Sequence, residues 1–352
     1  MTKGKKKSMA FKVIIWLAAI ILIGGAIFGY KYYSIIYQSN VNLGNKETTF
    51  VYIPTNSKFD DVVRILYENK VIINKNSFEW VAERKKYKDH IKPGKYLVKA
   101  DMSNNDLINM LRSGKQEPVK LVFNNIRTRF QLASKISKQI EADSVSLIDF
   151  LNDSDYLEKM HLTPENSIAL FIPNTYSINW NTSAKEFIDR MYSEFQKFWN
   201  SDRRNKAKAL KLTPEEVSIL ASIVQEETLK PDEMPKVAGV YLNRLRKDQK
   251  LEADPTVKFA VGDFTIKRIL NRHLEIDSPY NTYKYKGLPP GPICLPSSKT
   301  IDRVLNAEKH KYIYFCAKED FSGYHNFAVT FEEHKANAKR YQRELDRRNI
   351  KR

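Results

Sequence analysis

Eighteen consecutive residues, Val13 to Tyr30, carry no charge, and Lys3, Lys5, Lys6, Lys7 and Lys12 precede them without a single acid. A run of that length is just sufficient to cross a bilayer as a helix, and Tyr30, Tyr32 and Tyr33 supply aromatic groups where the far interface would lie. With the lysines ahead of the span, the positive-inside rule puts the N-terminus in the cytoplasm and residues 34–352 outside it. A cleaved signal peptide would share the basic start but would end at a small-x-small site. This run ends in Tyr30-Lys31-Tyr32-Tyr33, so an uncleaved anchor is expected. No cysteine follows the span closely, which removes lipoprotein anchoring. The expected order is a basic tail over 1–12, a transmembrane helix over 13–33 and a polar tether over 34–46.

About 320 residues then remain, more than one core of ordinary size serves, so two domains are expected. Taking the five N-terminal lysines from the net charge of +18 leaves +13. In the cytosol that excess would suggest nucleic acid. Here the lysines alternate with Asp and Glu on helix surfaces without a basic-aromatic stripe, and no nucleic-acid partner is expected. Outside a membrane the polyanions at hand are lipid headgroups and cell-wall polymers. Cys294 and Cys316 are too few and too far apart for a disulfide scaffold. His90, His161, His273, His310, His325 and His334 form no metal-ligand spacing, so neither a metal nor another cofactor is expected.

Residues 47–117 read as a small α+β module. Thr48 to Ile53 is a strand stopped by Pro54, and Ser57 is placed to cap a helix over Lys58 to Leu66. Lys92-Pro93-Gly94 turns into a strand through Val98. Ser103 then caps a helix from Asp106 to Arg112 that stops at Gly114. From residue 118 a larger mixed α+β domain is expected to run to 345. It opens on the strand Val119 to Phe123 and a Thr128-capped helix over Phe130 to Gln139.

The chemistry concentrates later. Thr213-Pro214-Glu215-Glu216 is a capping box with Pro at the first helical position. Counting back from Glu227 at about 100° per residue, Leu220 falls within about 20° and Ile223 within about 40°. Glu227 therefore projects from the apolar face, Glu226 lies at its edge and Gln225 points nearly opposite. A carboxylate on a buried face is costly unless protonated or paired, and the same surroundings raise its pKa. Glu227 is a candidate general acid, the alternative being a buried Glu paired with an Arg. Ala253-Asp254-Pro255-Thr256 reads as a polar turn in which Asp254 is either a cap or a second acid. Asx-Pro as a turn initiator favours the cap. Gly287 to Ile293, rich in Gly and Pro, is a rigid loop. Tyr280, Asn281 and Tyr283 before it offer stacking faces and hydrogen bonds suited to sugars, or else pack a core.

Several of these segments occur in one fixed order: Ala-Ser-Ile-Val-x-x-Glu-Thr, Val-Tyr-Leu-Asn-Arg-Leu, Asp-Pro-Thr-Val, Tyr-Asn-Thr-Tyr, Gly-Leu-Pro-Pro-Gly-Pro-Ile and His-x-Phe. Together they resemble the endolytic murein transglycosylases, the YceG-like family, over roughly residues 47–345. The resemblance implies a catalytic α+β domain joined to a LysM-like subdomain. It also implies a carbon–oxygen lyase that cuts the MurNAc–GlcNAc bond of nascent glycan strands and leaves a 1,6-anhydro-MurNAc end. Glu227, in the Glu-Thr pair, aligns with the family's catalytic glutamate. Thr228, Asn243, Asp254, Tyr280, Asn281, Tyr283 and His325 are carried as substrate-contact candidates. Peptidoglycan strands are the expected partner, with peptidoglycan synthases as further candidates. Two departures are visible: Gln225 stands where relatives often carry Glu, and Asn174 where they often carry Asp. A hydrolase of the usual kind needs two carboxylates, whereas a lytic enzyme needs one, because the sugar's own 6-hydroxyl attacks. A non-catalytic wall-binding protein, and a muramidase pairing Glu227 with Asp254, are the competing readings.

Overall fold

The computed structural model describes residues 3–266, 268–348 and 350. It divides into two compact units, Met1–Val119 with Ser177–Asn181, and Lys120–Tyr176 with Thr182–Arg352.

The first unit begins with helix α1 (Lys3–Tyr37), whose stretch Phe11–Tyr37 is long and apolar enough to cross a membrane and is not buried by protein. Strand β1 (Thr48–Ile53), helices α2 (Phe59–Glu68) and α3 (Lys75–Arg84), strand β2 (Gly94–Lys99) and helix α4 (Asn104–Ser113) follow. The two strands pair antiparallel, with Val51 opposite Tyr96 and Thr49 opposite Val98. Their inward residues Val51, Ile53, Tyr96 and Val98 join Val62, Leu66, Phe78, Leu107 and Leu111 in one closed core.

Three details differ from the sequence reading. Helix α3 was not anticipated: it is capped by Asn74, whose side chain accepts from Ser77 N, and it buries Phe78, Val81 and Ala82 with Trp80 packed at the edge of the core. The first cap belongs to Lys58, whose N–H donates to Asp61, while the Ser57 hydroxyl turns back to Pro54 O. Residues 34–46 are also less of a tether than expected. The helix runs on to Tyr37, Asn40 and Val41 are buried, and the segment bridges to Ser103 and Ile72. Asn104 is the clasp, donating through Nδ2 to Ile35 O at 2.9 Å and accepting from Asn40 at 2.7 Å.

The second unit is mostly helical. Strand β3 (Val119–Val122) leads into α5 (Arg129–Ile136), α6 (Ser144–Asn152), α7 (Ser154–Glu158) and a 3₁₀ turn (Ser167–Leu170). Strand β4 (Thr175–Ile178) precedes α8 (Ala184–Phe198), α9 (Ser201–Leu210), α10 (Pro214–Glu227) and α11 (Met234–Arg246). Then come α12 (Asp254–Val261), α13 (Asn271–Leu274), α14 (Ser298–Leu305), the hairpin β5 (Tyr314–Ala317) with β6 (His325–Ala328), and α15 (Phe331–Arg347). Helix α10 is the hub, packed against α9, α11, α12, α14 and the 3₁₀ turn. Every residue from Val217 to Val224 is buried, so this helix is enclosed on all sides and not only along one stripe. Such a helix lies in the centre of a domain, and its two ends become the places where polar groups reach a surface.

Candidate active site

The start of α10 is set by the expected capping box: Thr213 Oγ1 accepts from Glu216 N at 3.2 Å, and Glu216 returns the bond to Thr213 N at 2.8 Å. Its other end is Glu227. Thr228 is already extended, so Glu227 occupies the last helical position, where unpaired carbonyls concentrate negative charge. The side chain opens onto a cavity of about 240 Å³ shared with Asp254, Tyr283, His325, Cys316, Arg244 and His334, among others.

Inside that cavity Glu227 lacks what a charged carboxylate needs. Oε2 is buried with no hydrogen bond of good geometry, and the Tyr241 hydroxyl of α11 is the polar group beside the carboxyl. Burial, and next the negative charge of Asp254, push the Glu227 carboxyl up to about 7, with Tyr241 and Lys258 pulling weakly the other way. Near neutral pH a large fraction of Glu227 therefore carries a proton it can give away. The alternative of a buried Glu paired with an Arg is not what the structure shows. The arginine goes one residue earlier, where Arg127 meets Glu226 at 2.7 Å.

Asp254 is a correction to the sequence reading. It caps nothing: it is the first residue of α12, Ala253 is the N-cap, and its Oδ1 accepts from the Tyr283 hydroxyl at 2.7 Å. Pro255 behind it starts a helix in place of ending a turn, as Pro does at a first helical turn. Burial and Asp254 drive the Tyr283 phenol far above its usual range, so Tyr283 stays a donor.

The remaining candidates separate into two groups. Thr228 and His325 belong to the cavity region. Thr228 Oγ1 donates to Glu233 Oε2 at 3.2 Å, and His325 donates to Glu233 from its backbone N–H at 2.8 Å and from Nδ1 at 2.7 Å. Asn243, Asn281 and Tyr280 are not among the residues that line this cavity. Asn281 is fully buried, its amide donating to Leu274 O and Ile276 O while Oδ1 accepts from Tyr283 N, so it holds Tyr283 in place. Asn243 donates to His310 O and Tyr312 O. Tyr280 packs its ring 4.6 Å from Phe259. Amide motifs that look like sugar contacts in a sequence are spent here on backbone carbonyls.

Gln225 points away from the cavity, as its helical angle implies, and there its Oε1 accepts from Ser297 N at 2.7 Å and Thr300 Oγ1 at 3.0 Å, fixing the start of α14. Cys294 and Cys316 are both free thiols. Sequence reasoning missed Arg244 and Glu233. Arg244, nearly buried, donates to Ile313 O, Lys250 O, Leu251 O and Glu252, and so ties α11 to the strand that walls the cavity. Its signal was available: an arginine inside the apolar run Val-Tyr-Leu-Asn-Arg-Leu must be paired. Glu233 had none, since Pro-Asp-Glu-Met-Pro reads as an exposed turn.

An α+β unit whose enclosed central helix ends in a buried carboxyl group of raised pKa, with a second acid in the same polar cavity, has the parts that general-acid chemistry needs. The YceG-like family profile matches residues 51–340, and the chain belongs to that family. Among its relatives, the endolytic murein transglycosylase of Bacillus subtilis is 28% identical over 319 residues, covering 86% of this chain and 87% of that one. The protein of the same name from Streptococcus pneumoniae serotype 2 is 28% identical over 344 residues, covering 88% of this chain and 61% of its own length. A YceG-like protein of Listeria monocytogenes, solved by crystallography, superposes with a TM-score of 0.53 at 28% identity, covering 83% of this chain and 99% of that one.

Proposed function

We propose that this chain is a membrane-anchored endolytic lytic transglycosylase of peptidoglycan, with Glu227 as its general acid. The observation that carries the reading is the buried carboxyl group at the end of α10, which opens onto the cavity it shares with Asp254, Tyr283 and His325 and is pushed up to about 7 by burial. The names of the 28%-identical relatives supply the substrate class. Protonated Glu227 donates to the glycosidic oxygen between MurNAc and GlcNAc. The 6-hydroxyl of the MurNAc then closes on its own anomeric carbon, and no second carboxylate is needed as nucleophile. Once ionised, Glu227 is one group that can take up the 6-hydroxyl proton. Tyr283, Asp254 and His325, which line the same cavity, would contact the sugar.

The test is product chemistry. Full-length protein in detergent, given purified glycan strands, should release fragments with anhydro ends, lighter by one water than hydrolytic products. Asp254 in the same cavity gives the muramidase reading a specific footing, and reducing ends throughout would establish it in place of the lytic one. No cleavage at all by a folded protein would leave the wall-binding reading.

The other parts follow from the same proposal. The apolar helix would anchor the chain with its N-terminus in the cytoplasm and residues after about 40 outside, so external protease should remove them from spheroplasts. The module of α2, α3, α4 and the β1–β2 pair would serve as the LysM-like glycan-placing subdomain. Deleting it should then weaken cleavage of long strands more than of short oligosaccharides. Peptidoglycan synthases, which make the nascent strands, are the candidate partners.

A further inference from the structure

Glu233 is a buried acid that the chemistry above leaves without a role. It is 6% exposed, immediately ahead of α11, and both of its oxygens are occupied. Oε1 accepts from the His325 backbone N–H at 2.8 Å, and Oε2 accepts from His325 Nδ1 at 2.7 Å and from Thr228 Oγ1 at 3.2 Å. A carboxylate can only accept, so His325 Nδ1 is the donor in its bond to Glu233. The ring of Phe315, nearly perpendicular to the imidazole with 5.1 Å between ring centres, packs against it and restricts its orientation. Since Nδ1 is taken by Glu233 and His325 lines the cavity, the lone pair of Nε2 is what the imidazole offers to a ligand. Thr228, which shares the same Glu233 oxygen, is the neighbour of Glu227. The acid and the imidazole are thus anchored to one another's supports and face one cavity.

We infer that His325 is the base of the lytic step, accepting the 6-hydroxyl proton at Nε2 while Glu233 holds its tautomer and steadies the imidazolium that forms. The inference rests on the lytic reading above and divides its two proton transfers between two residues. A Glu227 that carries the proton it is to donate cannot take one from the 6-hydroxyl until it has donated. A base already present removes that delay and lets both transfers occur in one step. The C1–O4 bond breaks as the Glu227 proton reaches the glycosidic oxygen, the O6–C1 bond forms, and the O6 proton passes to Nε2. The GlcNAc fragment leaves with a 4-hydroxyl and the MurNAc fragment as the 1,6-anhydride, with no water consumed. The site is left with a Glu227 carboxylate and a His325 imidazolium, and proton exchange with solvent resets both.

The variant that isolates this role is His325→Gln, whose amide can still donate to Glu233 but has no basic nitrogen. In full-length protein, cleavage of glycan strands should lose about a hundredfold in kcat, with KM changed by less than about threefold. Retained kcat, or a raised KM with kcat intact, makes His325 a binding group only and overturns the inference. A proton inventory on the unmodified protein in H₂O–D₂O mixtures gives a second reading that does not depend on how any variant folds. A curved plot, from two protons in flight, is expected, and a straight one-proton plot overturns the assignment. Glu227→Gln separates the levels. If that variant keeps full activity, the acid reading fails. If it is inactive while His325→Gln is normal, only the present inference fails.

Discussion

The N-terminal module and the Glu227 end of the second unit bury different kinds of polar group. In the module they are neutral: Tyr96 donates to Lys92 O, Asn40 and Asn104 bind each other and nearby backbone, and the Tyr87 hydroxyl and Gln116 Oε1 are buried without partners. At the end of α10 the buried group is an ionisable acid, Glu227, with Asp254 in the same cavity and the Tyr241 hydroxyl beside it. Unanswered buried groups cost about 1–3 kcal/mol each, and a stable fold carries few of them. In the module that cost falls on neutral groups and changes no charge. At Glu227 burial raises the proportion of acid that holds its proton near neutral pH, which is what a proton donor requires.

The contrast can be broken most sharply at Glu227 itself. Glu227→Gln keeps the shape and removes the proton, so strand cleavage should fall by about two orders of magnitude or more while the thermal midpoint holds or rises. Gln225→Ala, two residues earlier, should do the reverse. Loss of the bonds to Ser297 N and Thr300 Oγ1 should cost about 1–3 kcal/mol, read as a lower midpoint in thermal or denaturant melts. An unchanged midpoint would show that the start of α14 does not depend on that amide.

Smaller effects concern pH. In the proposed mechanism the protonated form of Glu227 acts, and burial with the Asp254 charge pushes its carboxyl up to about 7, so the rate should decline as pH rises through that value. Asp254→Asn removes a negative neighbour, makes the carboxylate easier to form, and should move the decline to lower pH. Tyr241→Phe removes a group that favours the carboxylate and should move it to higher pH. Rate profiles of the three proteins decide it, and shifts of the wrong sign would refute the account of the cavity's electrostatics. Least of all should Glu226→Gln matter: its partly exposed pair with Arg127 is worth about 0–1 kcal/mol, so activity and melting should stay close to the original.

Much of this was readable without coordinates, for a definite reason. Helices α8 and α10 advertise themselves through capping boxes and apolar spacing, and Glu227 through its place on the apolar face of such a helix. Local rules govern those features. What stayed hidden depended on where distant segments meet. Asp254 became a cavity acid because Tyr283, 29 residues on, reaches its carboxylate. Gln225 became structural because residues 70 or more positions later fold against it. Asn243 and Asn281 look like sugar contacts until backbone carbonyls arrive to claim their amides.

The continuity of α1 with the module has a consequence for reach. A flexible leash lets a domain sample a wide volume, whereas a helix advances about 1.5 Å per residue and does not slacken. Tyr32 lies against Trp80 at 5.3 Å between ring centres, and Asn104 grips Ile35, so the last turns of α1 are built into the module. With the bilayer ending near Tyr30 to Tyr33, the module would stand within about 10 Å of the surface, at the height of a gauge block and not at the end of a rope. The distance from the membrane at which a strand is first gripped would then be a dimension of the protein, open to change by adding or removing turns of helix between Tyr33 and Tyr37.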